Sequence, residues 1–140
     1  NNNFDLSNCY ITRKDSGDVE MFGTGDFLGK TINAHSYFLL SNYTGAGSKI
    51  GIEPNIFNIK MSLSNTNLQI KLFCNDVLID TADDGSGIPL MGDNVNKKSM
   101  SRRLTPGDGT LAENWCTAST QVNWDDGATE LGTPGAQNFC

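Results

Sequence analysis

Four cysteines, two runs of carboxylates and one histidine are the groups in this sequence with chemistry to offer. Cys9, Cys74, Cys116 and Cys140 are separated by 65, 42 and 24 residues, and no Cys-x-x-Cys occurs. Zinc sites present their ligands in close pairs, so this spacing argues against a metal centre. An even count at wide spacing fits two disulfides and an oxidising compartment. Three pairings can be drawn. The preferred one is Cys9–Cys74, joining two strand segments in the core region, with Cys116–Cys140 pinning the tail to the domain. Four reduced, buried thiols are the alternative.

Asp80, Asp83 and Asp84 form one acidic cluster; Asp125, Asp126 and Glu130 form another. Such groups can supply oxygen ligands to calcium, and a spaced pair can act as acid and base on a glycoside. Neither cluster has the ligand spacing or second helix of the twelve-residue calcium loop. Solvated turns are the plainer reading, with calcium as the one cofactor worth testing. A nucleophile needs a base within reach. His35, the lone histidine, stands in a turn before an apolar run, and no Gly-x-Ser-x-Gly occurs. Gly23-Thr24-Gly25 and Gly85-Ser86-Gly87 lack the lysine and following helix of a phosphate loop and read as turns. The expectation is a protein without a catalytic centre.

Aromatic rings offer a different chemistry, stacking on sugars. Tyr37, Tyr43, Trp115 and Trp124 are the candidates. Trp124, flanked by Asn123, Asp125 and Asp126, and Tyr43, on a glycine-containing loop, are the expected ligand contacts, with a glycan as the ligand. Asn42-Tyr43-Thr44 is a formal N-glycosylation sequon. Lys97-Lys98 with Arg102-Arg103 is either a local positive patch or a solvated turn.

The elements that must position these groups are short strands. Hydrophobic residues make up 37% of the 140 residues, and Gly, Asn, Ser and Thr are plentiful, which favours strands joined by many turns. The length suits one domain over 1–140, able to bury a core of its own. No run approaches 18 apolar residues, so no membrane span is expected. A net charge of −6 makes nucleic acid a poor partner. No secretory signal stands at the start, and Asn1-Asn2-Asn3 looks like a processed or truncated beginning.

Strands are expected at Phe4–Thr12, at Val19–Phe22, at Ser36–Ser41 and at Ile59–Leu63. Asp15–Asp18 reads as a turn, and Pro54 argues against a central strand at Ile50–Ile56. Leu68 to Phe73 alternates cleanly, with Leu68, Ile70 and Leu72 facing inward. Cys74-Asn75-Asp76 turns the chain, and Val77–Asp80 returns as a hairpin partner. No helix of three turns is evident. The fold class is all-β, an immunoglobulin-like β-sandwich of about seven short strands. A long ordered C-terminal loop region wraps it, anchored by Trp115 and Trp124.

The C-terminal third also carries an ordered series of motifs: Ser99-Met100-Ser101-Arg102-Arg103, Asn114-Trp115-Cys116, and Gly132-Thr133-Pro134-Gly135-Ala136-Gln137-Asn138. The series resembles the C-terminal signature of the lamin-tail domain family in its bacterial, secreted branch. Asp5-Leu6-Ser7-Asn8-Cys9 stands where the family has Asp-Leu-Ser-Gly-Trp. His35 to Asn42 is similar to its Gly-x-Tyr-x-Val-Leu strand. Met61-Ser62-Leu63-Ser64-Asn65 with the following hairpin is similar to its Leu-Ser-Asn…Val-Asp segment. Cys9 replaces the family's tryptophan, which fits a bonded cysteine. The family's opening Trp-x-Glu-Leu-x-Asn element has no counterpart, and Asn1-Asn2-Asn3-Phe4 stands in its place.

The resemblance implies a non-catalytic structural or interaction module of a secreted or cell-surface protein, with a protein partner or self-association. The missing opening element implies a domain completed from outside. A self-assembling extracellular filament subunit completed by a donated β-strand is the second expectation. A calcium- or glycan-binding module is the third.

Overall fold

The structure is a computed structural model that describes residues 3–14, 19–57, 61–105 and 107–140. In chain order the elements are β1 (Phe4–Asp5), β2 (Cys9–Arg13), β3 (Val19–Phe22), the single helical turn α1 (Thr24–Phe27), β4 (Thr31–Ile32), β5 (Ile70–Cys74), β6 (Val77–Ala82), β7 (Met100–Arg102) and β8 (Trp115–Thr117). Short 3-10 turns stand at Gly45–Gly47 and Ala112–Asn114. The strands form three antiparallel sheets: β1 with β4, the central sheet β3-β2-β5-β6, and β7 with β8. The fold is all-β.

The β5–β6 hairpin is the element most directly dictated by sequence. Alternation along 68–74 sets the faces, and Asn75 and Asp76 take left-handed φ of 51° and 60°. Two consecutive left-handed residues, here in a two-residue loop, give the type I′ turn, whose twist matches the strands it joins. Cys74 then pairs with Val77 and Phe73 with Leu78. Between Leu72 and Phe73 the register slips, leaving Ile79 as the extra residue of a β-bulge on β6.

Apolar residues from the central sheet meet those of the loops beneath it. Leu6, Cys9, Ile11, Phe27 and Cys74 are buried together, with Phe38, Leu40, Ile56, Ile70 and Leu72 packed against them. Cys9 and Cys74 face each other in the β2–β5 register and are disulfide-bonded. Cys116 and Cys140 are bonded as well, so the preferred pairing of the four cysteines is the one present.

Several expectations are corrected. The first segment divides, because Ser7 and Asn8 turn between β1 and β2. Ser36–Ser41 forms no strand; Leu40 makes a single parallel bridge with Ile56, and Leu39 N–H donates to Asn55 Oδ1 at 2.7 Å. Phe38 and Leu40 thus reach the core without a ladder, so burial alone accounts for that apolar run. Met61–Leu63 is not a strand, while Ile59 and Lys60 lie outside the described residues. The Asp15–Asp18 turn also lies outside them. Gly23-Thr24-Gly25 opens α1 instead of making a turn, with Asp26 Oδ2 accepting the Gly23 N–H at 3.0 Å. The described residues hold eight short strands, close to the expected number of about seven.

Beyond β6 the chain is irregular yet closely hydrogen-bonded. Asp93 and Lys98 exchange backbone bonds of 2.9 Å in both directions. Leu131 donates to Lys97 O and accepts from Ser99 N–H, and Gly132 N–H reaches Thr120 O, each at 2.9 Å. Trp115, Cys116 and Ala118 are buried beneath this layer. The expected ordered C-terminal region is therefore present, tied down by backbone pairing as well as by its tryptophans.

Candidate functional site

Where the end of the central sheet meets the C-terminal layer, the molecule leaves an open groove of about 890 Å³. Leu68 and Ile70 from β5 and its lead-in, Ala82 from β6, Met100 from β7 and Trp115 from β8 contribute to it. Met91, Leu131 and Trp124 contribute from the loops, and Leu63 and Ile88 are exposed at its rim. The volume is that of a ligand or side-chain pocket. Its lining mixes aliphatic, aromatic and thioether side chains, surfaces that adapt to apolar guests, with a polar margin that includes Asp93, Lys97, Lys98 and Glu130.

Each wall is fixed by identifiable bonds. Asp83, completely buried and in the left-handed region at φ 71°, accepts the Asp84 N–H at 2.8 Å and the Leu90 N–H at 3.0 Å. Its own N–H donates to Gly109 O at 3.1 Å. One side chain thereby folds the 84–90 turn and sets Ile88 and Pro89 at the rim. Asp84 receives the Ser86 N–H at 2.8 Å and hydroxyl at 3.0 Å, which hold its carboxyl below the ordinary aspartate value. On the other wall Asp93 accepts the Asn96 side-chain amide at 2.6 Å and the N–H groups of Val95 and Asn96 at 3.0 Å. Those bonds, the Asn96 side chain first, lower its pKa. Gly92, at φ 94°, donates to Thr117 Oγ1 at 3.0 Å.

The tryptophans and the basic run serve this construction. Trp115 Nε1 donates to Gly109 O and Trp124 Nε1 to Gly132 O, both at 2.9 Å. Arg102 places its guanidinium 4.7 Å from the Trp115 ring centroid. It pairs with Asp80 at 3.1 Å and also donates to the Thr81 and Gly107 carbonyls. Arg103 Nε donates to Glu113 O at 3.0 Å. Lys97 Nζ pairs with Glu130 at 3.4 Å. Glu130 is held below the ordinary glutamate value by its own backbone N–H first, then that of Thr129. These charges close turns and join layers.

The expected site residues are not gathered into one place. Among the described residues no three His, Cys, Asp or Glu side chains come together to hold a metal ion. Asp80 faces Arg102, Asp83 is interior, and Asp84 caps its own turn. Asp125 and Asp126 are exposed in a turn closed by Ala128 N–H to Asp125 O at 3.0 Å. Tyr43 is exposed, as expected of a contact residue. Trp124 is partly buried against the expectation of exposure, because its indole N–H is spent on Gly132 and its backbone bridges Ile50. Its ring instead forms part of the groove wall. The Asn42 side chain holds Met61, donating to its carbonyl at 2.7 Å and accepting its N–H at 2.6 Å, and Thr44 Oγ1 accepts the Gly47 N–H at 3.1 Å. Both ends of the sequon thus have structural bonds.

Sequence reasoning passed over Met91, Met100, Ile88 and Leu131. The available signal was the apolar run Ile88-Pro89-Leu90-Met91 after a glycine-rich turn, which needed a surface to lie against. Comparison with protein-family models, with curated proteins and with solved structures finds no match in any of the three.

Proposed function

We propose that this chain is a non-catalytic structural and interaction module of a secreted or cell-surface protein. In this reading it is a lamin-tail-like, immunoglobulin-like sandwich whose working surface is the apolar groove. The observation that carries the reading is the groove itself, about 890 Å³, lined by Ile70, Met91, Met100, Trp115, Trp124 and Leu131. Around it Asp83, Asp84, Asp93 and the Arg102 guanidinium are engaged in turns and layer contacts, so the surface offers an apolar floor with a charged margin at Lys97, Lys98 and Glu130. Apolar burial without a positioned nucleophile or acid–base pair suits holding a partner rather than transforming a substrate. Two disulfides, and no helix among the described residues long and apolar enough to cross a membrane, accord with an oxidising exterior.

The test is a selection of displayed protein binders on the wild-type chain with counter-selection on Ile88→Asp. Ile88 is 80% exposed, so the substitution blocks the rim while sparing the core. Binders that lose affinity for the variant support the reading; a selection yielding none that depend on the groove overturns it. A melting temperature raised by calcium, or glycan binding abolished by Trp124→Ala, would redirect the assignment to a calcium- or glycan-binding module.

A further inference from the structure

The groove has a counterpart on the same molecule. At the far end of the β5–β6 hairpin, Val77, Leu78 and Ile79 are consecutive and 60%, 49% and 53% exposed. Three large aliphatic side chains in a row on a hairpin tip are unusual on a free surface. The tip is rigid: Asn75 and Asp76 hold the two-residue turn, and the Tyr10 hydroxyl donates to Asp76 Oδ1 at 3.3 Å. The groove meets the opposite end of the same strands, at Ile70 and Ala82. Leu78 and Val77 pair with Phe73 and Cys74, three and four residues along β5 from Ile70, roughly 10–13 Å at the usual rise.

We infer that the hairpin tip of one copy docks into the groove of the next, giving a head-to-tail self-association. Donor and acceptor lie at opposite ends of one rigid hairpin, so no copy can fill its own groove. Repetition of such a heterologous contact makes a ring or an open chain, whereas a two-fold dimer would close the pairing on itself, each tip in the other copy's groove. The pre-set turn lowers the ordering cost of insertion. The rim carries Lys97 and Lys98 beside Glu130 and Asp93, with Lys97 paired to Glu130, so its charges are balanced and the apolar side chains of the tip carry the contact. Docking proceeds by side-chain insertion rather than by adding a strand. The bulge at Ile79 disrupts the outer edge of β6, and farther along Arg102 and Gly109 occupy it through Thr81 O and the Asp83 N–H. The contact is small, so it belongs to the weak class, and the net charge of −6 makes added salt strengthen it.

This inference rests on the groove being the working surface. The experiment is sedimentation velocity on the intact, oxidised 140-residue chain from about 10 μM to about 1 mM, the range a weak contact requires. Growth in mean mass with concentration, enhanced by salt, is expected. Leu78→Asp at the tip and Ile88→Asp at the rim should each abolish growth, because each removes one half of the contact. Mixing the two variants should restore a 1:1 dimer that grows no further, since each retains the half the other lacks. A wild-type chain that stays monomeric, one that stops at a dimer, or variants that assemble like wild type would overturn the inference. A monomeric chain that still yields groove-dependent binders would leave the interaction-module reading intact.

Discussion

The Arg102 guanidinium lies 4.7 Å from the centre of the Trp115 ring while its Nη2 pairs with Asp80 at 3.1 Å. One side chain thus bridges β7, β8 and β6, and it further binds the Thr81 and Gly107 carbonyls. Replacing Arg102 by Ala removes the stacking, the ion pair and two carbonyl bonds at once. The expected loss is about 2–4 kcal/mol, read as a lower denaturation midpoint. Arg102→Lys should recover only part of this, because an ammonium cannot spread a planar fork over ring and carbonyls together.

Gly109 approaches β6 so closely that an added Cβ would collide with Thr81 O and with the Arg102 guanidinium. Gly109→Ala should therefore cost roughly 2 kcal/mol or more, since backbone must move to admit it. Gly25→Ala is the matched control. A Cβ there meets nothing within 4 Å, and the substitution should be neutral or slightly stabilising. Thermal melts of the two variants make the comparison.

The disulfides close loops of different length, 65 residues for Cys9–Cys74 and 24 for Cys116–Cys140. Chain entropy predicts losses of about 4 and about 3.5 kcal/mol when each pair is replaced. Equilibrium unfolding of the two double variants checks the values. Hydrogen exchange should further show the second loss as early opening confined to the C-terminal region, with the central sheet still protected.

Asn42 should behave as a structural residue. Asn42→Asp keeps the acceptor for the Met61 N–H but removes the donor to its carbonyl, and should cost about 1–3 kcal/mol. A stability unchanged by Asn42→Asp would show that the bridge is unimportant.

Acid sensitivity follows from the turn carboxylates. Asp84, Asp93 and Asp108 are lowered by Ser86, Asn96 and Thr110 respectively, and Asp5 by Ser7. Each binds a proton less readily in the folded chain than in the unfolded one. Its stabilisation is complete above about pH 4 and is lost as pH falls through the lower folded value. Stability should be flat from pH 7 to about 4 on this account and decline below. Asp84→Asn with Asp93→Asn should shallow that decline in pH-dependent melts.

Local signals made the central hairpin and the cysteine pairing legible. Alternation at 68–74, a two-residue turn, and one cysteine on each of two strands point to the same ladder. Ser36–Ser41 misled because an apolar run reports burial, not a ladder partner, and Phe38 and Leu40 pack partly buried against the core without one. Trp124 misled because its polar neighbours said nothing of Gly132, eight residues on, whose carbonyl takes the indole N–H. The groove was illegible for the same reason. Ile70, Met91, Met100 and Leu131 come from four separate segments, and only the folded chain assembles them.

The two disulfides also govern how this chain would bear tension. Their loops of 65 and 24 residues take well over half of the 140-residue contour out of reach of a force applied at the ends. Cys9–Cys74 ties β2 to β5 covalently, so pulling cannot peel the centre of the sheet apart. The eight residues before Cys9 and the 41 between Cys74 and Cys116 can still lengthen. A string of such units would pay out only about a third of its contour until reduced, and reduction would release the rest.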